Sequence, residues 1–131
     1  MKLMKQVLIE IKNEIGVIAK VCEILGRSGV NIISISTETK DDYGLIRLVT
    51  EDPETSRNAL KRKGFKVEIS EILVLKVKDK PGELGKLARR LADSKINIES
   101  IYLLSREGGE TQIAMCVNDY GKARKVLEKH L

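Results

Sequence analysis

The stretch DKPGELGKLARRLADSKINIESI, from Asp79 to Ile101, decides the fold. Its apolar residues fall at i, i+3, i+4 and i+7, the spacing that lines one face of a helix: Leu84, Leu87, Ala88 and Leu91. A polar loop with a proline and a glycine leads into this helix, and Asn97 opens a strand after it. Upstream, every second residue is apolar at Leu73, Leu75 and Val77, the period of a half-buried strand. The segment is therefore predicted to be a strand-loop-helix-strand unit.

The same unit occurs earlier in the chain, 66 residues upstream. The run KNEIGVIAKVCEILGRSGVNIISIS, from Lys12, aligns with KDKPGELGKLARRLADSKINIESIY, from Lys78. Identical residues meet at many positions of this alignment, among them Gly16 with Gly82, Lys20 with Lys86 and Asn31 with Asn97. A fixed offset of this kind indicates an internal duplication.

The first copy carries a complete set of elements. Its strand at Val7, Ile9 and Ile11 and its first helix are followed by a polar turn, a second strand pair and a second helix. Asp52 is the predicted N-cap of that helix, and Asp119 is its counterpart at an offset of 67. A last alternating strand, Phe65 to Ile69, completes the order β-α-β-β-α-β.

The chain is therefore predicted to be α+β, with two tandem ferredoxin-like modules at residues 1–70 and 71–131, each with an antiparallel sheet. The second copy stops at Leu131, where its second helix is expected to end, so it lacks its last strand. Residues 72–78 would then have an unpaired edge, and a second chain adding a strand would cover it, which predicts a homodimer. The alternative is an edge that faces solvent and is protected by Lys76 and Lys78.

The loop sequence in the second copy resembles the signature of the ACT domain, a strand, a short D-x-P-G-x-L loop, a helix and a strand that opens with Asn-Ile. The first copy reads NEIGVI and has Ile15 where that pattern prefers proline. Tandem members of the family include regulatory ends of aspartate kinases, small subunits of acetohydroxy-acid synthases and free-standing pairs related to glycine-cleavage regulators. The resemblance implies a regulatory protein that binds an amino-acid effector at an interface between ACT modules and performs no chemistry.

The loop in each copy delivers the chain into a helix start, where free N–H groups and the positive end of the helix dipole can receive a carboxylate. An amide or acidic oxygen at the loop mouth could accept bonds from an α-ammonium group. The predicted ligand-binding residues are Asn13, Ile15, Gly16, Val17 and Asn31 in the first copy and Asp79, Pro81, Gly82, Glu83, Leu84 and Asn97 in the second. Such glycines and asparagines are also ordinary turn residues, and either copy or both could bind.

Other function classes have less support in the sequence. The net charge of +5 invites a nucleic-acid partner, but neither third strand carries the spaced aromatic residues on which bases stack. A single histidine and two distant cysteines, Cys22 and Cys116, give no triad, metal site or cofactor motif, and they fit a reduced, cytoplasmic protein. No membrane span is expected. The rival is an interaction module that binds a partner enzyme or a transcription regulator without a small ligand.

Overall fold

The computed structural model describes residues 2–128, which form four helices and six strands. In chain order they are β1 (Lys2–Lys12), α1 (Val17–Arg27), β2 (Ile32–Lys40), β3 (Tyr43–Thr50), α2 (Pro53–Arg62), β4 (Lys66–Lys78), α3 (Glu83–Asp93), β5 (Ile98–Glu107), β6 (Glu110–Val117) and α4 (Tyr120–Glu128). The predicted α+β class is confirmed, and the first six elements follow the predicted order β-α-β-β-α-β. The predicted end of the second copy at Leu131 lies outside the described residues.

The first compact unit comprises Lys5–Ser70, with the strand order β2-β3-β1-β4. In the antiparallel pairing of β1 with β3, Val7 lies opposite Leu48 and Ile9 opposite Ile46, so these four side chains share one face of the sheet. Apolar residues of α1 and α2 pack on that face. The core of this unit contains Val7, Ile9, Ile11, Val21, Ile24, Leu25, Val30, Ile46, Leu48, Ala59, Leu60 and Val67.

The second unit comprises residues from Glu71 onward together with residues 2–4, and its strand order is β4-β6-β5. Leu73 lies opposite Met115 and Leu75 opposite Ile113, on the face that α3 and α4 cover. Its core is as aliphatic as the first, as expected of a chain without tryptophan. It contains Leu73, Leu75, Leu87, Leu91, Ile96, Ile113, Met115, Val117, Ala123 and Leu127.

Strand β4 corrects the sequence-based expectation in two ways. The last strand of copy one and the first strand of copy two, predicted as separate elements, form one continuous strand, Lys66–Lys78. The edge expected to be open along residues 72–78 is also partly covered, because β1 is a neighbour of β4 and its residues 2–4 belong to the second unit. Part of the edge that a second chain was expected to cover is therefore covered by β1 of the same chain.

The second helix of each copy begins at its predicted cap. The carboxylate of Asp52 accepts bonds from the backbone N–H and the hydroxyl of Thr55, and these bonds lower the pKa of Asp52 below its usual value. The carboxylate of Asp119 likewise accepts from the backbone N–H of Lys122 at 3.0 Å. Both N-caps are confirmed, because each satisfies an amide that the helix itself cannot pair.

Candidate functional site

A groove of about 500 Å³ lies at the start of α1 in the first unit. We call it the first groove. Three parts of the copy form its walls: the end of β1 with the following loop, the first turn of α1, and the segment that joins α2 to β4. Its lining residues are Glu10, Ile11, Lys12, Glu14, Ile15, Gly16, Val17, Lys20, Tyr43, Gly64, Phe65 and Lys66.

The loop that leads into α1 is fixed by its own backbone and by the turn between β2 and β3. The backbone N–H of Asn13 donates to the carbonyl of Asp42 at 2.8 Å, and the Asn13 side-chain amide donates to the carbonyl of Asp41 at 3.0 Å. Gly16 is the N-cap residue, and no side chain caps the helix. The backbone N–H of Val17 donates to the carbonyl of Glu14 at 3.4 Å, and the next amides of the first turn, those of Ile18 and Ala19, are left to water or to a ligand in the groove.

Gly16 has a positive φ of +89°, in the left-handed region that non-glycine residues avoid. Gly26, inside α1, provides a matched comparison, because a Cβ added at either glycine meets no atom within 4 Å. We expect Gly16→Ala to lower the free energy of unfolding by about 1 to 2 kcal/mol, whereas Gly26→Ala should raise it by about 0.5 to 1 kcal/mol. Urea denaturation of the two variants measures both changes, and the same sign for both would contradict the expectation.

Charges of both signs line the first groove. The ammonium of Lys20 lies 5.7 Å from the centre of the Phe65 ring, and no carboxylate of the described residues lies within ion-pair distance of it. Lys66 pairs with Glu10 at 3.2 Å, and Glu14 has no ion-pair partner among residues 2–128. A helix start with a lysine can hold a carboxylate, and a glutamate nearby can hold an ammonium group.

Apolar side chains complete this groove. Ile15 is fully exposed and Tyr43 is 71% exposed, although large apolar or aromatic residues are costly to leave in water. With the half-buried Phe65, they offer a surface for an aliphatic or aromatic side chain. A zwitterion with an apolar side chain would therefore find all three of its parts matched in the first groove.

The second unit has a groove at the equivalent place, with a volume of about 900 Å³. We call it the second groove. Its lining repeats that of the first groove at six positions: Lys76, Val77, Lys78, Glu83, Lys86 and Glu110 are the counterparts of Glu10, Ile11, Lys12, Val17, Lys20 and Tyr43. The duplication seen in the sequence has therefore placed a groove in each copy, with different chemistry.

The predicted residues of the second loop lie mostly beside this groove. Of these predicted residues, only Glu83 lines the second groove. Gly82 is the N-cap of α3 with a φ of +88°, as Gly16 is for α1. Asp79 donates its backbone N–H to Gly109 at 2.9 Å and pairs through its carboxylate with Arg106 at 3.4 Å. Pro81, between Asp79 and Gly82, and Leu84, after Glu83, are both exposed.

Asn31 and Asn97 lie at the opposite end of each sheet from the helix starts. Asn31 precedes β2 and accepts a bond from the backbone N–H of Glu51 at 3.3 Å, and Asn97 donates its backbone N–H to the Asn118 side chain at 2.9 Å. Strand β2 has nine residues and is therefore about 26 Å long. It lies between Asn31 and the end of the sheet where Gly16 is found. The structure therefore does not bring Asn31 and Gly16 of one copy together.

Most lining residues of the first groove, among them Glu14, Lys20, Tyr43 and Phe65, were not among the predicted site residues. The repeat aligns Lys20 with an identical residue, Lys86, and this identity could have indicated Lys20 as a site residue from the sequence. Tyr43 and Phe65 could be found only from the topology, since β3 and β4 bring them beside β1 from distant parts of the sequence.

The described residues offer little for other kinds of site. Residues 2–128 contain no group of three or more histidine, cysteine, aspartate or glutamate side chains placed to hold a metal ion. None of the helices in that range is both long and apolar enough to span a bilayer. Burial, and then the neighbouring Cys116, raises the pKa of Tyr120 to about 12, and the Tyr120 hydroxyl donates to the carbonyl of Glu71, away from both grooves.

Comparison with known proteins places the chain in a described family. A family profile described as an ACT domain pair matches residues 2–131. Protein BT0572 from Bacteroides thetaiotaomicron is similar over 97% of this chain and 88% of its own, with 24% identity and a TM-score of 0.91. The ligand-free regulatory subunit of aspartate kinase from Thermus thermophilus is similar over 98% and 97%, with 14% identity and a TM-score of 0.68. No curated protein matches the sequence.

Proposed function

The chain belongs to the family of ACT domain pairs, and from this premise we propose that it is a non-catalytic regulatory protein that senses an amino acid or a related small effector. The observation that supports the proposal most is the first groove, which combines an uncapped helix start, a lysine, a glutamate and an exposed apolar surface. Binding an amino acid through these features requires no cofactor. We also propose that the protein acts in the cytoplasm, where Cys22 and Cys116, which form no disulfide among residues 2–128, would stay reduced.

In this proposal the effector carboxylate binds at the start of α1. The amides that follow Gly16 and the ammonium of Lys20 receive it, and Glu14 receives the α-ammonium group. Ile15, Val17 and Phe65 contact the effector side chain. Asn13 contributes by holding the loop against the turn at Asp41, since its side-chain amide already donates there.

The effector site is completed, in this proposal, by a second chain in a homodimer. Matching positions of the two copies leave large apolar side chains in water: Ile18 and Leu84 on the first helices, and Ile35 and Ile101 on the second strands, each 40% to 45% exposed. Exposed apolar side chains that recur in both copies are expected of a surface that another chain covers. Asn31 can reach an effector only from such a neighbouring module, so Asn31→Ala tests whether one contributes.

A thermal-shift panel of the twenty amino acids tests the function. An effector at about a hundredfold over its dissociation constant should stabilise the protein by about 2.7 kcal/mol, a clear rise in Tm. The decarboxylated amine and the N-acetylated form of the best amino acid are the matched controls, since each lacks one charge and should give a smaller shift. A flat panel would contradict the proposed effector class.

The second candidate function is an interaction module that binds a partner enzyme or a transcription regulator without a small ligand. The second groove favours it, because this groove is larger than an amino acid needs and its charges are mostly of one sign. Light scattering at several concentrations, with and without a candidate partner, would show a complex for this function and would also measure the homodimer.

A further inference from the structure

The loops that lead into α1 and α3 are held by equivalent backbone hydrogen bonds. The N–H of Val17 donates to the carbonyl of Glu14 at 3.4 Å, and its counterpart, the N–H of Glu83, donates to the carbonyl of Lys80 at 3.3 Å. The two N-cap glycines have φ values of +89° and +88°. Because both helix starts offer a ligand the same backbone, a difference in what they bind has to come from the surrounding side chains.

Two side chains at these helix starts differ in charge between the copies. Val17 of the first copy is replaced by Glu83 in the second, and Glu14 is replaced by Lys80. The first turn of α1 has no acidic residue, whereas Glu83 lies in the first turn of α3. In the proposed effector site, Glu14 receives the ammonium group and the first turn of α1 receives the carboxylate. At the corresponding positions the second copy has a cation and a carboxylate.

The lysine that follows each helix start also has a different partner. Lys86 pairs with Glu83 at 3.2 Å, and the side chain of Glu83 is only 26% exposed. Lys20 is the identical residue of the first copy, and no carboxylate of the described residues lies within ion-pair distance of it. A carboxylate is favoured beside a lysine and near the positive end of a helix dipole. The chain itself therefore supplies to Lys86 the anionic partner that Lys20 lacks.

We propose that the carboxylate of Glu83 takes the place of the effector carboxylate in the second copy, so that each chain binds one effector, at the start of α1. An amino acid at the start of α3 would bring its carboxylate towards Glu83 and its ammonium group towards Lys80, and both contacts are repulsive. The inference rests on the effector-binding function proposed above, and it adds the number of effectors per chain and the residue that decides it.

An ordinary helix-stabilising ion pair is the alternative explanation of Glu83. Glu54 and Arg57 form a pair of the same i, i+3 spacing at the start of α2. Such a pair stabilises a helix and does not select a ligand. It gives no reason for the second difference in charge, Glu14 against Lys80, which the proposal explains. The two explanations also predict different numbers of bound effectors once Glu83 and Lys80 are replaced.

A glutamate placed at the start of α1 tests the proposal in the first copy. Val17→Glu gives Lys20 the partner that Lys86 has, so we expect it to weaken binding of the free amino acid by roughly tenfold to a hundredfold. Val17→Gln is the matched control, since it has nearly the same size without the charge, and it should bind about tenfold more tightly than Val17→Glu. The probes are the twenty free amino acids, measured by thermal shift. Equal weakening by the two substitutions would show that size and not charge closes the site, and would overturn the proposal.

The reverse exchange tests the proposal in the second copy. Lys80→Glu combined with Glu83→Val gives the start of α3 the charges of the first copy. Isothermal titration calorimetry with the amino acid that gives the largest thermal shift should find one molecule per wild-type chain and two per chain of the double variant. Asp93→Val is the matched control, since it removes from the other end of α3 a carboxylate that pairs with Arg89 at 4.0 Å. This control should still bind one molecule per chain.

The outcomes separate this inference from the effector function. Two molecules bound per wild-type chain would overturn the inference alone. So would one molecule bound by the double variant with the circular dichroism of the wild type. If the double variant lost its fold, the comparison of Val17→Glu with Val17→Gln would still decide. A panel that is flat for the wild type would contradict the effector function and this inference with it.

Discussion

Truncating Leu60 or Leu127 to alanine is expected to lower the free energy of unfolding by about 2 to 5 kcal/mol. The two leucines occupy matching positions on the second helix of each copy, and both are fully buried. Each removal takes apolar atoms out of a core without tryptophan, where isoleucine, leucine and valine supply nearly all the volume. Neighbouring side chains can close such a cavity only in part, so both the transfer and the cavity costs are incurred.

Urea denaturation followed by circular dichroism measures this loss. Leu103→Ala is the matched control, since it removes the same atoms from a side chain that is 47% exposed, and it should cost less than about 1 kcal/mol. The two buried variants should also resemble each other, because duplication has put both leucines in equivalent cores. A cost at Leu127 no larger than that at Leu103 would show that the second core is not packed as the structure has it.

The fold could be predicted from the sequence because two independent periodicities agree. The i, i+3, i+4, i+7 pattern gave the helices, and the offset of 66 repeated each element in a second copy. The continuity of β4 was harder to find. Phe65, Val67, Leu73 and Val77 are all in the same phase of a two-residue period, but Glu71 interrupts them with a charge. Its carbonyl accepts from the Tyr120 hydroxyl, a long-range contact that no local pattern shows.

The covering of β4 by β1 could not be predicted from local sequence either. The first residues of the chain read as the start of copy one, and only the register of β1 along β4 carries residues 2–4 into the second unit. A strand that is longer than its own module requires is visible in the sequence only as extra apolar residues, Leu3 and Met4, before the alternation begins.

The candidate site was predictable at its helix start and not at its walls. Gly16 and Val17 follow from the loop-to-helix transition, which is a local feature. Asn31 was grouped with them because both are repeated in the second copy, but duplication repeats turn residues and ligands alike. Within one copy the length of β2 lies between Asn31 and Gly16, and sequence spacing alone does not give that separation.

Reversing the charge of Lys20 is expected to weaken the binding of the effector by roughly tenfold to a hundredfold while leaving the fold intact. Lys20 is exposed and has no ion-pair partner among residues 2–128, so Lys20→Glu breaks no ion pair there and little stability should be lost. At the first groove, however, the new carboxylate would face the carboxylate of the effector, and one charge-assisted bond of about 1.5 to 3 kcal/mol would be lost.

Lys86→Glu is the matched control, since Lys86 occupies the same helix position in the second copy and is also exposed. Isothermal titration calorimetry with the amino acid found by the panel should give a larger dissociation constant for Lys20→Glu and an unchanged dissociation constant for Lys86→Glu. Equal weakening by the two substitutions would contradict the proposal that the effector binds in the first groove, because Lys86 lines the second groove and not the first.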